Sequence, residues 1–200
     1  MAGFIFLCTL LVFLQRKIMD KSHNSKSALL VIDMQNGLFK GELKPYNHQS
    51  VLLNIRELIE YQRLNKRPVI FIRHVGAKGT PLDPDGANTQ LIAELSFNPD
   101  IDTVIEKIYP SSFKGTVLKD WLEKLDVDQI IVTGMKTEYC IDSTIRAASE
   151  VGYKVTLISD AHTTFDSMHL SAQRIIDHHN QIFNNAFAKV ITTEEFIDEF

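Results

Sequence analysis

A chain of 200 residues with 44% apolar side chains is long enough to bury one sizeable core, and a single domain is the expectation. Its net charge of −4, with Lys and Arg scattered rather than clustered, excludes the electrostatic footprint of a nucleic-acid or anionic-membrane binder. Two cysteines, Cys8 and Cys140, cannot build a disulfide framework and suit a reduced cytoplasm.

The chain opens on an apolar run over residues 3–14, shorter than the roughly 20 residues a bilayer span takes. Arg16 and Lys17 follow the run instead of preceding it, and no Ala-x-Ala cleavage site comes after, so it is a poor secretory signal. Three readings stand open: a natural start at Met19, a signal-like or anchoring segment, or an extra packed or partner-binding helix. Residues 1–26 are therefore set apart as an extension, and 27–200 as the domain. From there, apolar runs at 28–32, 68–72, 103–105, 129–133 and 154–158, with a sixth at 188–191, are rich in Val, Ile and Leu without strict alternation. That pattern predicts strands covered on both faces, as in a parallel sheet. Between them, residues 49–65 place Val51, Leu52, Ile55, Leu58, Ile59 and Gln62 on one helical stripe. Segments 115–125 and 139–151 read as helices in the same way, and 167–183 more weakly. The alternation predicts an α/β fold whose strand ends share one edge, where ligands bind. Loops at 74–99 and 109–113 leave that edge.

Three residues at strand ends are the wrong type for a core: Asp33, Lys107 and Cys140. Taken singly each has a plain reading, as a turn or cap residue, a solvated amine and a small core hydrophobe. Taken together they form a coherent set. The thiol is the nucleophile, the carboxylate accepts its proton, and the ammonium stabilises the thiolate. Cys140 sits where an apolar run becomes helical, so unpaired N–H groups and the positive helix end are expected to favour thiolate and to hold an oxyanion.

The segment Ala-Leu-Leu-Val-Ile-Asp33-Met-Gln35-Asn-Gly-Leu-Phe39 resembles the opening strand and turn of the isochorismatase-like cysteine hydrolase superfamily. Glu106-Lys107-Ile108-Tyr109-Pro110-Ser111-Ser112-Phe113 is similar to its lysine motif and aromatic loop. Thr133-Gly134-Met135-Lys136-Thr137-Glu138-Tyr139-Cys140-Ile141 matches its nucleophile motif. The resemblance implies a three-layer α-β-α, doubly wound sheet of six parallel strands, commonly in a homo-oligomer. It implies a triad of Asp33, Lys107 and Cys140, an oxyanion hole from the backbone N–H groups of Lys136 and Cys140, and a cis peptide at Met135–Lys136. The activity implied is hydrolysis through a covalent intermediate on cysteine.

The Asp-x-His metal motif of nicotinamidase-type members has no counterpart in the sequence, so neither metal nor organic cofactor is expected. His74 is then a pocket or hydrogen-bonding residue, and His178 and His179 a solvated pair. Gln35, Phe39, His74, Phe113, Thr137, Tyr139, His162 and Phe165 are the candidate pocket residues; His162 and His169 are placed in the loop and helix after the fifth strand. Retention of the cysteine favours a small amide-like substrate and C–N hydrolysis. The alternatives are vinyl-ether cleavage of the isochorismatase type, or a non-catalytic ligand-binding or redox-sensing protein on the same fold. The expected setting is cytoplasmic, with no membrane or nucleic-acid partner.

Overall fold

The computed structural model describes residues 26–199; the expectations for Cys8, the apolar run and Met19 lie outside them. Six strands, β1 (Ser27–Ile32), β2 (Val69–His74), β3 (Thr103–Lys107), β4 (Gln129–Met135), β5 (Lys154–Thr163) and β6 (Lys189–Ile191), form one sheet in the order β3-β2-β1-β4-β5-β6. Every pairing is parallel. This is the doubly wound order, whose direction of winding switches between β1 and β4. The two central strands are buried along their whole length, which is why their sequences show no polar alternation.

Side chains still alternate between two cores. Ala28, Leu30 and Ile32 of β1 point into one, with Leu118 and Leu122 of α3 (Leu118–Lys124), Ile145 of α4 (Asp142–Glu150) and Phe183 of α5 (Ala172–Ala186). Leu29 and Val31 point into the other, with Val51, Ile55 and Leu58 of α2 (His48–Leu64) and Phe196 of α6 (Thr193–Glu199). A short helix, α1 (Asn36–Phe39), follows β1, and two 3₁₀ turns, Ala87–Thr89 and Ala93–Leu95, order the long loop after β2. Among the described residues, no helix is long and apolar enough to cross a membrane.

Of the boundaries that differ from the sequence-based expectation, three bear on the site. The fifth strand does not end at residue 158 but runs to Thr163, and its register against β4 jumps, with Leu157 opposite Val132 and His162 opposite Gly134. His162 therefore lies in the sheet, not in the following loop. The segment 139–151 begins as a π-helical turn, Thr137–Ile141, before α4. The last long helix starts only at Ala172, after a loop from residue 164. Near the switch point the packing is tight. Gly134 has φ +110°, and a Cβ there would lie 2.1 Å from the Ile32 carbonyl oxygen. Only glycine lets β4 pass β1 this closely.

Candidate active site

Asp33 leaves the end of β1 in a left-handed backbone conformation, φ 54°, with its amide bonded to Ile72 O of β2. Lys107 is the last residue of β3, two strands away, and lies in register with His74 at the end of β2. Its side chain reaches across β2 and is fully buried. There Nζ donates to Asp33 Oδ2 at 2.8 Å and to Cys140 Sγ at 3.1 Å, and lies 3.0 Å from His74 Nδ1. An ammonium has three protons and no lone pair. All three are thus directed, and Nδ1 of His74 is the acceptor of the third. Burial, with the Lys107 charge beside it, pushes the His74 pKa down; a neutral ring accepting at Nδ1 carries its own proton on Nε2.

Gln35 locks this arrangement from below. It is buried, accepts from the His74 amide at 2.8 Å and donates to the His74 carbonyl at 3.0 Å and to Thr89 O at 2.7 Å. Gln35 does not line the cleft: its side chain is spent on backbone, holding the end of β2 and the long loop together.

The electrostatics overturn one expectation. Burial pushes the Cys140 thiol up to about 12, helped by the Asp33 charge and opposed by Lys107. Burial also raises the Asp33 carboxyl, against the pull of Lys107. One ammonium faces two groups that can carry negative charge, and in a dry site it supports one of them. Sulfur and carboxylate therefore compete for that one negative charge. The Met135–Lys136 peptide is cis.

The cleft above these groups has a volume of about 250 Å³. Asp33, His74, Lys136 and Cys140 contribute its polar surface; Leu38, Leu82, Pro110 and Tyr139 form apolar walls. Of the pocket residues expected from sequence, His74 and Tyr139 line it. Phe39 does not: the single turn of α1 sends it into the core and its neighbour Leu38 into the cleft. Phe113 packs against the core and the Tyr153 ring, 5.9 Å away. Thr137 and His162 are buried and bonded to each other at 2.9 Å. Nε2 of His162 faces Asn180 Oδ1 on α5, also at 2.9 Å. Phe165 is packed on the second core and lies under the Lys136 ammonium, 5.0 Å from the ring centroid. His169 and His178 are exposed, and His179 is half-buried beside Ile175 O. Leu82 and Pro110 had no signal beyond their loops, because which loop residue turns inward depends on the loop's own bonds, such as Gly76 N to Leu82 O.

Ligand atoms of Asp33, His74 and Cys140 lie within 4.8 Å of one another. The Lys107 ammonium already sits among them, bonded to each, so this donor set surrounds a cation of the protein's own and does not fit a metal at the same point.

A sequence profile of the isochorismatase domain matches residues 27–195. YddQ, an uncharacterized isochorismatase family protein of Bacillus subtilis (strain 168), is 32% identical over 178 residues, which cover 86% of this chain and 98% of its own. Nicotinamidase 3 of Arabidopsis thaliana is 34% identical over 157 residues, 72% of this chain and 76% of its own. The crystal structure of a cysteine hydrolase from Pseudomonas syringae pv. phaseolicola 1448A aligns with a TM-score of 0.82 at 27% identity, over 87% of this chain and 92% of that one. Strand order, motif order and these likenesses agree: the chain belongs to the isochorismatase family of hydrolases.

Proposed function

We propose that the protein is a cysteine-dependent amidohydrolase that cleaves a C–N bond of a small molecule. The observation that carries this reading is the buried Lys107 ammonium bonded to both Asp33 and Cys140 at the floor of an open cleft. Asp33 takes the proton of Cys140 as sulfur attacks the amide carbon; the carbonyl electrons move to oxygen, where the N–H groups of Lys136 and Cys140 receive them. As the intermediate collapses the C–N bond breaks, Asp33 returns its proton to the leaving nitrogen, and an acyl thioester remains. Asp33 then deprotonates a water that attacks the thioester. The C–S bond breaks, the thiol re-forms and a carboxylic acid leaves. A high resting thiol pKa fits this scheme, because the thiolate needs to exist only while Asp33 holds its proton.

The cleft lies below the roughly 300–1,000 Å³ typical of drug-sized ligands, which supports a compact substrate with an apolar body. The relative named as a nicotinamidase supports an amide. A cytoplasmic setting keeps such a thiol reduced. Exposed Ile108 and Tyr109, next in chain to the cleft residue Pro110, support a homo-oligomer meeting near the rim. Incubation with a panel of small primary amides should yield an acyl adduct on Cys140 by mass spectrometry, with ammonia released. Cys140→Ala should lose adduct and turnover while keeping its fold. Full turnover by Cys140→Ala would end this reading.

A further inference from the structure

The cleft over Cys140 is lined by one charge that the proposed reaction does not use. Asp33, Cys140, His74 and Lys136 are the lining residues whose charge matters near neutral pH. The first two compete for the one negative charge that faces the buried Lys107 ammonium, so those three groups are balanced. His74 is bonded to the same ammonium, and burial with the Lys107 charge favours its neutral form. The Lys136 ammonium is left over. In the reaction proposed above this residue acts through its backbone N–H alone.

Lys136 directly follows β4 and leads into the π-helical turn that carries Cys140. It is half-buried, with Nζ 5.0 Å from the centroid of the Phe165 ring and 5.9 Å from that of Tyr139. Aromatic faces attract a cation at such distances but bring no charge to neutralise it. Among the described residues Lys136 forms no ion pair. The acidic groups close to it in chain or beside Phe165 are engaged elsewhere. Glu138 accepts from the Thr164 hydroxyl at 2.9 Å, and Asp166 from the Ala172 amide at 2.8 Å. An ordinary surface lysine is a hydrated point charge on a flexible stem. Here two rings flank the ammonium of a residue that lines an apolar-walled cleft, and its charge is unmatched.

We propose that the substrate is an anionic amide: a small carboxylate whose other end is the amide that Cys140 attacks, with the carboxylate paired to Lys136. Only the amide end rests on the amidohydrolase reading; the anionic end is read from Lys136. A single ammonium matches a singly charged carboxylate better than a doubly charged phosphate. Leu38, Leu82, Pro110 and Tyr139 take the methylenes between the two ends, while the few polar groups fix orientation. Unmatched positive charge in a cleft also raises the local concentration of anions. Hydrolysis of such a substrate takes up one water and releases ammonia and a dicarboxylate.

The full chain carrying Cys140→Ala cannot consume its ligand, so calorimetry on it reads binding alone. Succinamate and glutaramate are compared with butyramide, a neutral amide of similar size. At least one anionic amide should bind about tenfold or more tightly than butyramide, and the advantage should shrink as sodium chloride is raised. Adding Lys136→Met, or Lys136→Gln should the first not fold, should bring the two affinities to within about threefold. Lys136→Arg should keep most of the preference. With Cys140 restored, kcat/KM should show the same order of amides. Equal affinity for anionic and neutral amides, or a preference that survives loss of the Lys136 charge, overturns the proposal. Acyl adducts on Cys140 from neutral amides alone overturn it too, yet leave the amidohydrolase standing. Tight, Lys136-dependent binding of succinamate with no adduct from any amide does the reverse: the carboxylate site stands and the amidohydrolase falls.

Discussion

At Cys140 the balance of charge is set by two neighbours acting in opposite senses. Asp33 raises the thiol pKa and Lys107 lowers it, both over a larger effect of burial. Removing the Asp33 charge while keeping its shape should therefore make the resting thiolate easier to form, even as it removes the proton acceptor. Asp33→Asn is expected to be alkylated by iodoacetamide at pH 8 faster than the parent. Its amide turnover should fall by about 10² or more. Slower alkylation of Asp33→Asn would show that Asp33 activates sulfur even without substrate, and the account of charge sharing would fail. His74 belongs to the same scale. It was a lone histidine in sequence, and becomes the acceptor that completes the Lys107 ammonium.

The element that carries Cys140 is a π-helical turn, and its neighbours are tied to it through His162. β5 delivers His162 opposite Gly134 by its jump in register, and α5 supplies Asn180 on the far side of the ring. Burial lowers the His162 pKa to about 4. A folded pKa below the unfolded one means that the unfolded chain takes up the proton first. The stability tied to this residue is full at neutral pH and is lost as pH falls from about 6.5 to about 4. A shift of that size corresponds to roughly 3 kcal/mol. Urea midpoints measured between pH 7 and pH 4 should fall less steeply for His162→Gln than for the parent. Equal slopes would mean that the ring is not held neutral in the fold.

For the molecule as a whole, stability rests on two cores divided by one sheet. Phe183 of α5 is fully buried in the core that also includes Cys140, Ile141 and Ile145. Phe183→Ala leaves a cavity beside the nucleophile turn, with an expected loss of about 3–5 kcal/mol in urea unfolding at unchanged slope. A loss under about 1 kcal/mol would show that α5 closes over the gap, and that the turn is held by other contacts. The same sheet separates two cavities: the cleft at the strand ends and a groove at the strand starts, lined by Arg67 and Trp121.

The sequence by itself determined the alternation of strands and helices, the burial of β1 and β4, and the three residues placed at strand ends. Those features are local: continuous apolar runs, helical stripes and motifs a few residues long carry them. The tertiary structure decided what no local pattern holds. Lys107 meets Asp33 and Cys140 only because β2 and β1 lie between β3 and β4 in the sheet. Leu38 rather than Phe39 faces the cleft because α1 is a single turn whose orientation the surrounding loop sets. The thiol stays protonated because burial outweighs the nearby ammonium. Arg67 and Trp121, far apart in the chain and ordinary in sequence, share a cavity because α2 and α3, on opposite faces of the sheet, both end at the edge where its strands begin. Such pairings follow from sheet order and desolvation, which are properties of the folded whole.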